Sequence, residues 1–245
     1  MTACNYTGIQ PELIALYTKL AEQPDSDFGW ATGRTNAQQL GYADEWLNRL
    51  PTRVWESAAA VGNPFQLANI SLGQTVLDLG CGAGADSCIA ALQAGDSGKV
   101  IGIDCTPAML AKARNNAALV SADNIEFYQA DIADLPIADH SIDVVISNGA
   151  INLAGDKAKV FQELFRVLKP GGRLQFADMI RISDDACEPV SGPASWANCI
   201  QGTLTADSLL GIMSAAGFID ATLVALTGYK TAQSTRGALF RALRP

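Results

Sequence analysis

The sequence is short of cations and nearly without histidine. Its 245 residues include 17 Lys or Arg against 25 Asp or Glu, a formal net charge of −8, and His140 stands alone. That balance repels phosphate backbones and anionic headgroups, so no nucleic-acid or membrane-surface partner is expected. The two longest charge-free windows, residues 57–77 and 189–206, are broken by Gly, Pro, Asn, Gln and Ser. Neither supplies the roughly 20 continuous apolar residues that a bilayer span requires. The first residues lack a basic segment followed by an apolar stretch, so a cytoplasmic home is expected. The six cysteines, Cys4, Cys81, Cys88, Cys105, Cys187 and Cys199, form no Cys-x-x-Cys pair and have no histidine at zinc-site spacing. No metal site is expected, and the thiols read as reduced, small hydrophobes. Disorder is excluded, because 49% hydrophobic against 17% charged residues leaves ample apolar surface to offset chain entropy.

What is present is an alternation. From residue 70 onward, short β-branched runs at 75–79, 99–103, 125–128, 142–146 and 173–177 alternate with segments of helical period. Nearly continuous apolar runs are what strands covered on both faces require, so the pattern predicts a parallel sheet with crossover helices. Helices are predicted over 85–94 and over 107–119, the latter with Thr106 as N-cap and Pro107 at the first helical position. Asp156 opens another, stopped by Lys169-Pro170-Gly171-Gly172, and a further helix covers 205–216 after a polar insertion at 183–201. Strands at about 218–226 and 238–242 end the chain. Residues 1–70 carry helical stretches at 11–21, 36–40, 43–50 and 52–60, whose apolar stripes need the sheet for burial. The division expected is therefore a helical cap or lid, 1–70, on an α/β domain, 71–245.

The sharpest feature is Val76-Leu77-Asp78-Leu79-Gly80-Cys81-Gly82-Ala83-Gly84-Ala85, a strand running through glycines into a helix. Glycines let backbone approach a ligand, and the helix start offers unpaired N–H groups. Taken alone the run also satisfies a nicotinamide-dinucleotide fingerprint. Further residues separate the two readings. Asp78, inside the strand, is placed for a ligand ammonium, a use that a pyrophosphate does not provide. Asp104, ending the second strand, suits the two hydroxyls of a ribose. Asp131-Ile132 follows the third strand, an acid for an adenine amino group beside an apolar face for the ring. Ser147-Asn148 closes the fourth strand over the same crevice, at the carboxyl ends where open α/β sheets bind ligands.

Over roughly residues 70–245 the sequence resembles the class I S-adenosylmethionine-dependent methyltransferases. The resemblance is serial: Asp78-Leu-Gly-Cys-Gly-Ala-Gly, Ile103-Asp104, Asp131-Ile132, Asp143-Val-Val-Ile-Ser-Asn148 and Arg166-Val-Leu-Lys-Pro-Gly-Gly172 fall in the family's order. It implies a Rossmann-like, doubly wound seven-stranded sheet with an antiparallel last strand. It also implies S-adenosylmethionine as methyl donor, held by Asp78, Gly80, Gly82, Gly84, Asp104, Cys105, Asp131, Ile132 and Asn148.

Gly62-Asn63-Pro64, Ile103 to Met109, Ser147-Asn148-Gly149 and Trp196-Ala-Asn-Cys199-Ile-Gln-Gly202 resemble the arsenite methyltransferases more closely. In those enzymes, cysteines before Gly-Asn-Pro, directly after Ser-Asn and in the late Cys-x-x-Gly gather the metalloid as thiolates. Here those positions hold Val61, Gly149 and Cys199, so one thiol of three remains. Several thiolates hold a soft metalloid far better than one, and the expectation is a small organic acceptor, with arsenite or a thiol as the alternative.

Methyl transfer needs positioning more than proton transfer. The candidates for catalysis are Asn148, Asp178 and Cys199, with Gly149, Asn152, Trp30, Tyr42 and Trp196 as lining. His140 reads as a solvated turn residue, Trp46 and Trp55 as core. Residues 28–34 read as a lid segment with Gly29 and Gly33 as hinges. A binding protein that senses the cofactor without turnover stays open as a third reading, and the sequence is silent on oligomeric state.

Overall fold

The computed structural model describes residues 10–182 and 202–245. Cys199 and Trp196 lie outside the described residues.

Five strands form the parallel part of one sheet: β1 (Thr75–Leu79), β2 (Lys99–Asp104), β3 (Ile125–Gln129), β4 (Ile142–Asn148) and β5 (Leu168–Arg181). Their order is β3-β2-β1-β4-β5, continued by β8 (Thr235–Leu243) and β7 (Ile219–Leu226), with β8 antiparallel to both neighbours. A two-residue strand, β6 (Leu204–Thr205), pairs with Ile180 and Arg181. The sheet thus has eight strands rather than the expected seven. The extra one exists because β5 runs four residues beyond Ala177 and offers its far end for pairing.

Two helices lie where their punctuation puts them. Helix α5 (Ala85–Ala94) starts after Gly84 at φ 81° and stops at Gly95 at φ 67°, conformations glycine enters without Cβ strain. Helix α6 (Pro107–Leu119) opens on proline, but the Thr106 hydroxyl caps nothing; instead the Thr106 N–H donates to Asp104 Oδ1 at 2.8 Å. Helix α7 (Lys157–Val167) is capped by Asp156, which accepts from the Lys159 N–H, and buries Val160, Phe161, Leu164 and Val167. It leaves no room for Lys169–Gly172 as a stop, since the chain already enters β5 at Leu168.

Helix α7 and the helix at Ala206–Ala215, α8, cover one face of the sheet through Phe161, Leu164, Leu209 and Met213. The other face is covered by α5 and α6 and by the amino-terminal helices α2 (Gly33–Gln39), α3 (Asp44–Arg49) and α4 (Thr52–Trp55), while α1 (Gln10–Glu22) packs on α6. Leu40, Leu47, Val54 and Trp55 share one apolar cluster with Val76, Val100, Val144 and Ile146 of the sheet. The stretch expected as a helix over 52–60 is helical only through Trp55, because residues 58–64 turn toward the strand ends. No helix among the described residues is long and apolar enough to cross a membrane.

Candidate functional site

The strand order reverses between β1 and β4, and at their carboxyl ends lies a cavity of about 390 Å³. Asp78, Gly80, Gly82, Asp104, Cys105, Asp131, Ile132 and Asn148 all line it, with Gly149 and Ala150 beside them. This is the crevice outside the strand ends where open α/β sheets hold ligands.

The glycine turn is built for close approach. A Cβ on Gly80, at φ 72°, would overlap the Ala150 side chain, whereas one on Gly82, at φ 50°, would meet nothing within 4 Å. Gly82 therefore leaves bare backbone facing the cavity. Gly84 is behind the wall, packed so that its own Cβ would lie 3.0 Å from that of Ala113. The turn is pinned to β2 by the N–H groups of Gly80 and Cys81, both donating to Ile103 O, and by the Gly82 N–H donating to Asp104 Oδ2 at 3.0 Å.

Asp104 accepts one backbone N–H on each oxygen, which fixes its carboxylate and leaves further lone pairs free for hydroxyl donors. Asp131 is fixed in the same manner by the Ala133 N–H at 2.7 Å, with Ile132 and Met109 as apolar neighbours on the cavity wall. Asp78 is buried and accepts from Ser87 Oγ at 2.5 Å. Burial, then the charge of Asp86, pushes its pKa up to about 8. Burial also raises Asp86 and Asp104. None of the three forms an ion pair among the described residues. A buried carboxylate cluster without a cation is a site that favours a positively charged ligand.

Asp86, in the first turn of α5, is the residue that the sequence reading missed. Its Oδ1 accepts from the Tyr42 hydroxyl at 2.7 Å and its Oδ2 from Asn148 Nδ2 at 3.0 Å. The same Asn148 amide meets Gly62 O and the Tyr42 hydroxyl, both at 2.9 Å, while its Oδ1 accepts from the Val61 N–H. Asn148 is thereby occupied on every side as a clamp between β4, α5 and the residues after α4. A first-turn acid reads in sequence as favourable to the helix dipole, which hides this second use.

Three further expectations are corrected. Asp178 lies off the cavity: it is buried mid-strand in β5 and accepts from the Asn152 and Met179 N–H groups at 3.0 and 2.7 Å, capping the short turn Ile151–Leu153. Burial raises its pKa to about 6. Asn152, the middle residue of that turn, is buried rather than on the wall, and Trp30 packs tilted against Phe28, ring centres 5.5 Å apart, away from the lining. Trp55, expected as core, is buried and also lines the cavity. His140 is exposed in a turn at φ 54°.

The roof is α1. Leu13 and Tyr17 face the cavity, and Leu20 is buried against Ala83 and Met109. The last carbonyls of the helix are held from below: Ser57 Oγ donates to Leu20 O at 2.8 Å and Lys112 Nζ to Ala21 O at 3.3 Å. Val61 and Gly149, apart in sequence, adjoin here; a Cβ on Gly149 would lie 3.3 Å from Val61 Cγ1.

The donor set fits a nucleoside with a cationic tail: Asp131 and Ile132 for the base, Asp104 for the ribose, the Gly80–Gly82 backbone and Asp78 for the tail. Among the described residues no group of three or more His, Cys, Asp or Glu is arranged to hold a metal ion.

Comparison with known proteins bears on this arrangement. A methyltransferase domain family matches residues 70–217. An arsenite methyltransferase from Halobacterium salinarum is 45% identical over 187 residues, covering 76% of this chain and 48% of that protein. The mouse arsenite methyltransferase is 35% identical over 158 residues, covering 61% and 42%. The chain spans about half the length of the curated relatives it matches. Among solved structures, an arsenic (III) S-adenosylmethionine methyltransferase from Chlamydomonas reinhardtii aligns with TM-score 0.63 at 27% identity, over 88% of this chain and 74% of that one. A geranyl diphosphate C-methyltransferase from Streptomyces coelicolor A3(2) aligns with TM-score 0.69 over 99% of this chain and all of that one, a likeness of fold alone at 16% identity.

Proposed function

The chain belongs to the class I S-adenosylmethionine-dependent methyltransferases, and from that premise we propose that it moves a methyl group to a small organic acceptor. The observation that carries this reading is the cavity at the β1/β4 switch point. One wall there places Asp78, Asp104 and Asp131 around a glycine turn whose Gly82 leaves backbone bare. When bound, the donor supplies a methyl carbon whose bond to positively charged sulfur breaks as the acceptor lone pair bonds to it, the electron pair staying on sulfur.

The chain's own residues then do three things. Asp104 and Asp131 orient, each held rigid by backbone N–H groups. Asp86, and Asp78 once a cationic ligand has expelled its proton, supply negative potential in a poorly solvated site, where it acts strongly. Helix α1, with Trp55 and Leu153, keeps water out. Orientation in a dry site supplies about 7–11 kcal/mol in favourable cases, more than a proton shuttle contributes.

The organic acceptor is favoured by Val61 and Gly149. Two of the three positions that carry thiols in the arsenite enzymes touch one another here, Gly149 on the cavity wall and Val61 buried behind it, and neither has a thiol. Cys88 is buried with its pKa pushed up to about 12, and burial raises Cys81 as well, so both are held as thiols rather than thiolates. A second reading, methylation of arsenite, is favoured by the 45% identity to an arsenite methyltransferase.

Transfer of isotope from labelled donor to an acceptor panel that includes arsenite with thiols separates them. The organic reading expects label in a carbon-based acceptor and little on arsenic. It also expects Val61→Cys with Gly149→Cys to raise arsenic methylation at least about tenfold, as added linked ligands do. Arsenic methylation by the unaltered chain as its fastest reaction reverses the order. Failure of calorimetry to detect donor binding removes both.

A further inference from the structure

We infer that the acceptor taken by this cavity is uncharged or cationic with an apolar body, and that acceptors bearing phosphate or carboxylate are turned away. The inference rests on the donor reading above and assigns the acceptor class of the same site.

Every charged side chain on the wall is acidic: Asp78, Asp86, Asp104 and Asp131. No Lys, Arg or His lines the cavity among the described residues. The cations close behind the wall have their own partners. Lys157 Nζ donates to Asn152 O and Ala154 O at 3.0 and 2.9 Å. Lys112 Nζ donates to Ser57 Oγ at 2.8 Å and to Ala21 O, with Glu56 as its ion pair. Residues 1–9 and 183–201 contain no Lys, Arg or His, and the second of these stretches adds Asp184, Asp185 and Glu188.

The Gly82 N–H, placed where a helix-start anion would look for donors, is taken by Asp104. A bound anion would therefore lose its water beside buried carboxylates with no fixed positive group in exchange, the arrangement that low dielectric penalises most. An uncharged nucleophile meets the opposite situation. Methylation leaves positive charge on it, and the acidic wall favours that charge where it forms. Much of the remaining lining, from Leu13, Tyr17, Trp55, Met109 and Leu153, is apolar or aromatic and suits a hydrophobic body.

The test uses one skeleton with four endings: phenethylamine, phenylacetamide, phenylacetate and phenyl phosphate. Calorimetry on the protein loaded with S-adenosylhomocysteine measures their affinities directly, without turnover. The expected result is millimolar or tighter binding of amine and amide, at least about tenfold stronger than either anion at low salt, with the amine's advantage over the anions narrowing as salt is added. In Ala59→Lys, which sets an ammonium on the wall, the gap is expected to close by about threefold or more. An anion that binds as tightly as the amide, or no binding by any of the four, overturns the inference. If S-adenosylhomocysteine itself does not bind, the donor reading fails on its own, and the same series on the free protein still reads the charge preference of the wall.

Discussion

Asn148 Nδ2 and Asp86 Oδ2 stand 3.0 Å apart, joining the end of β4 to the first turn of α5, and the Tyr42 hydroxyl closes the ring on both. The contact couples the sheet's switch point to the amino-terminal helices through three side chains that are far apart in sequence.

Because Tyr42 is buried and Asp86 and Asn148 are half-buried, cutting that ring leaves stranded polar groups. Asn148→Ala is expected to lower stability by about 2–3 kcal/mol, as loss of partners for buried groups does. Asn148→Asp is expected to cost more, since it sets a second carboxylate against Asp86. Urea unfolding of the three proteins checks the order.

Donor affinity is expected to collapse in Asp104→Ala. Two hydroxyl hydrogen bonds to a carboxylate, at about 1.5–3 kcal/mol each, correspond to a loss of at least a hundredfold. The same change frees the Gly82 N–H and loosens the turn. Calorimetry that returns an unchanged Kd refutes the ribose assignment.

Asp78 makes the ligand-free protein pH-sensitive. Its pKa of about 8 in the fold, against about 3.9 when unfolded, means that the folded chain holds the extra proton between those values. Stability without ligand is therefore expected to fall as pH rises from about 4 to about 8, and Asp78→Asn is expected to flatten that decline. A cationic ligand expels the proton, so donor affinity should strengthen with pH up to about 8. Thermal melts across the range, and calorimetry in buffers of different ionisation heat, measure the two effects.

Gly80 and Gly82 separate folding from binding. Gly80→Ala is expected to destabilise by about 2 kcal/mol or more, because its Cβ meets Ala150 and its φ is positive. Gly82→Ala opens into free space and is expected to cost about 1–2 kcal/mol from its φ alone. Its donor affinity should nonetheless drop as far as that of Gly80→Ala. Equal stability losses in the two variants refute the distinction.

Asp178→Asn is expected to weaken the fold while leaving donor affinity within about twofold, since its carboxylate serves the Asn152 and Met179 N–H groups and not the cavity. A donor Kd raised tenfold would return Asp178 to the site.

Much of the site was legible because each part is a local rule. Helices 85–94 and 107–119 coincide with α5 and α6, since glycine, proline and an apolar stripe punctuate them within a few residues. Asp78, Asp104 and Asp131 fall on the cavity because strand ends in a doubly wound sheet share one edge. What stayed hidden depends on distant pairing. Asp178 was placed at a strand end because the apolar run stops at Ala177, yet β8 and β6 extend pairing to Arg181 and bury it mid-strand. Asp86 gained its role only from Tyr42 and Asn148, 44 and 62 residues away.

The roof formed by α1 has a kinetic consequence. With Leu13 and Tyr17 overhead and the helix's final carbonyls gripped by Ser57 and Lys112, a nucleoside that enters or leaves beneath the first helix has to displace that segment. Exchange of spent for fresh donor by that route is expected to quicken when Ser57 or Lys112 is loosened, since a local opening of the first helix then costs fewer hydrogen bonds.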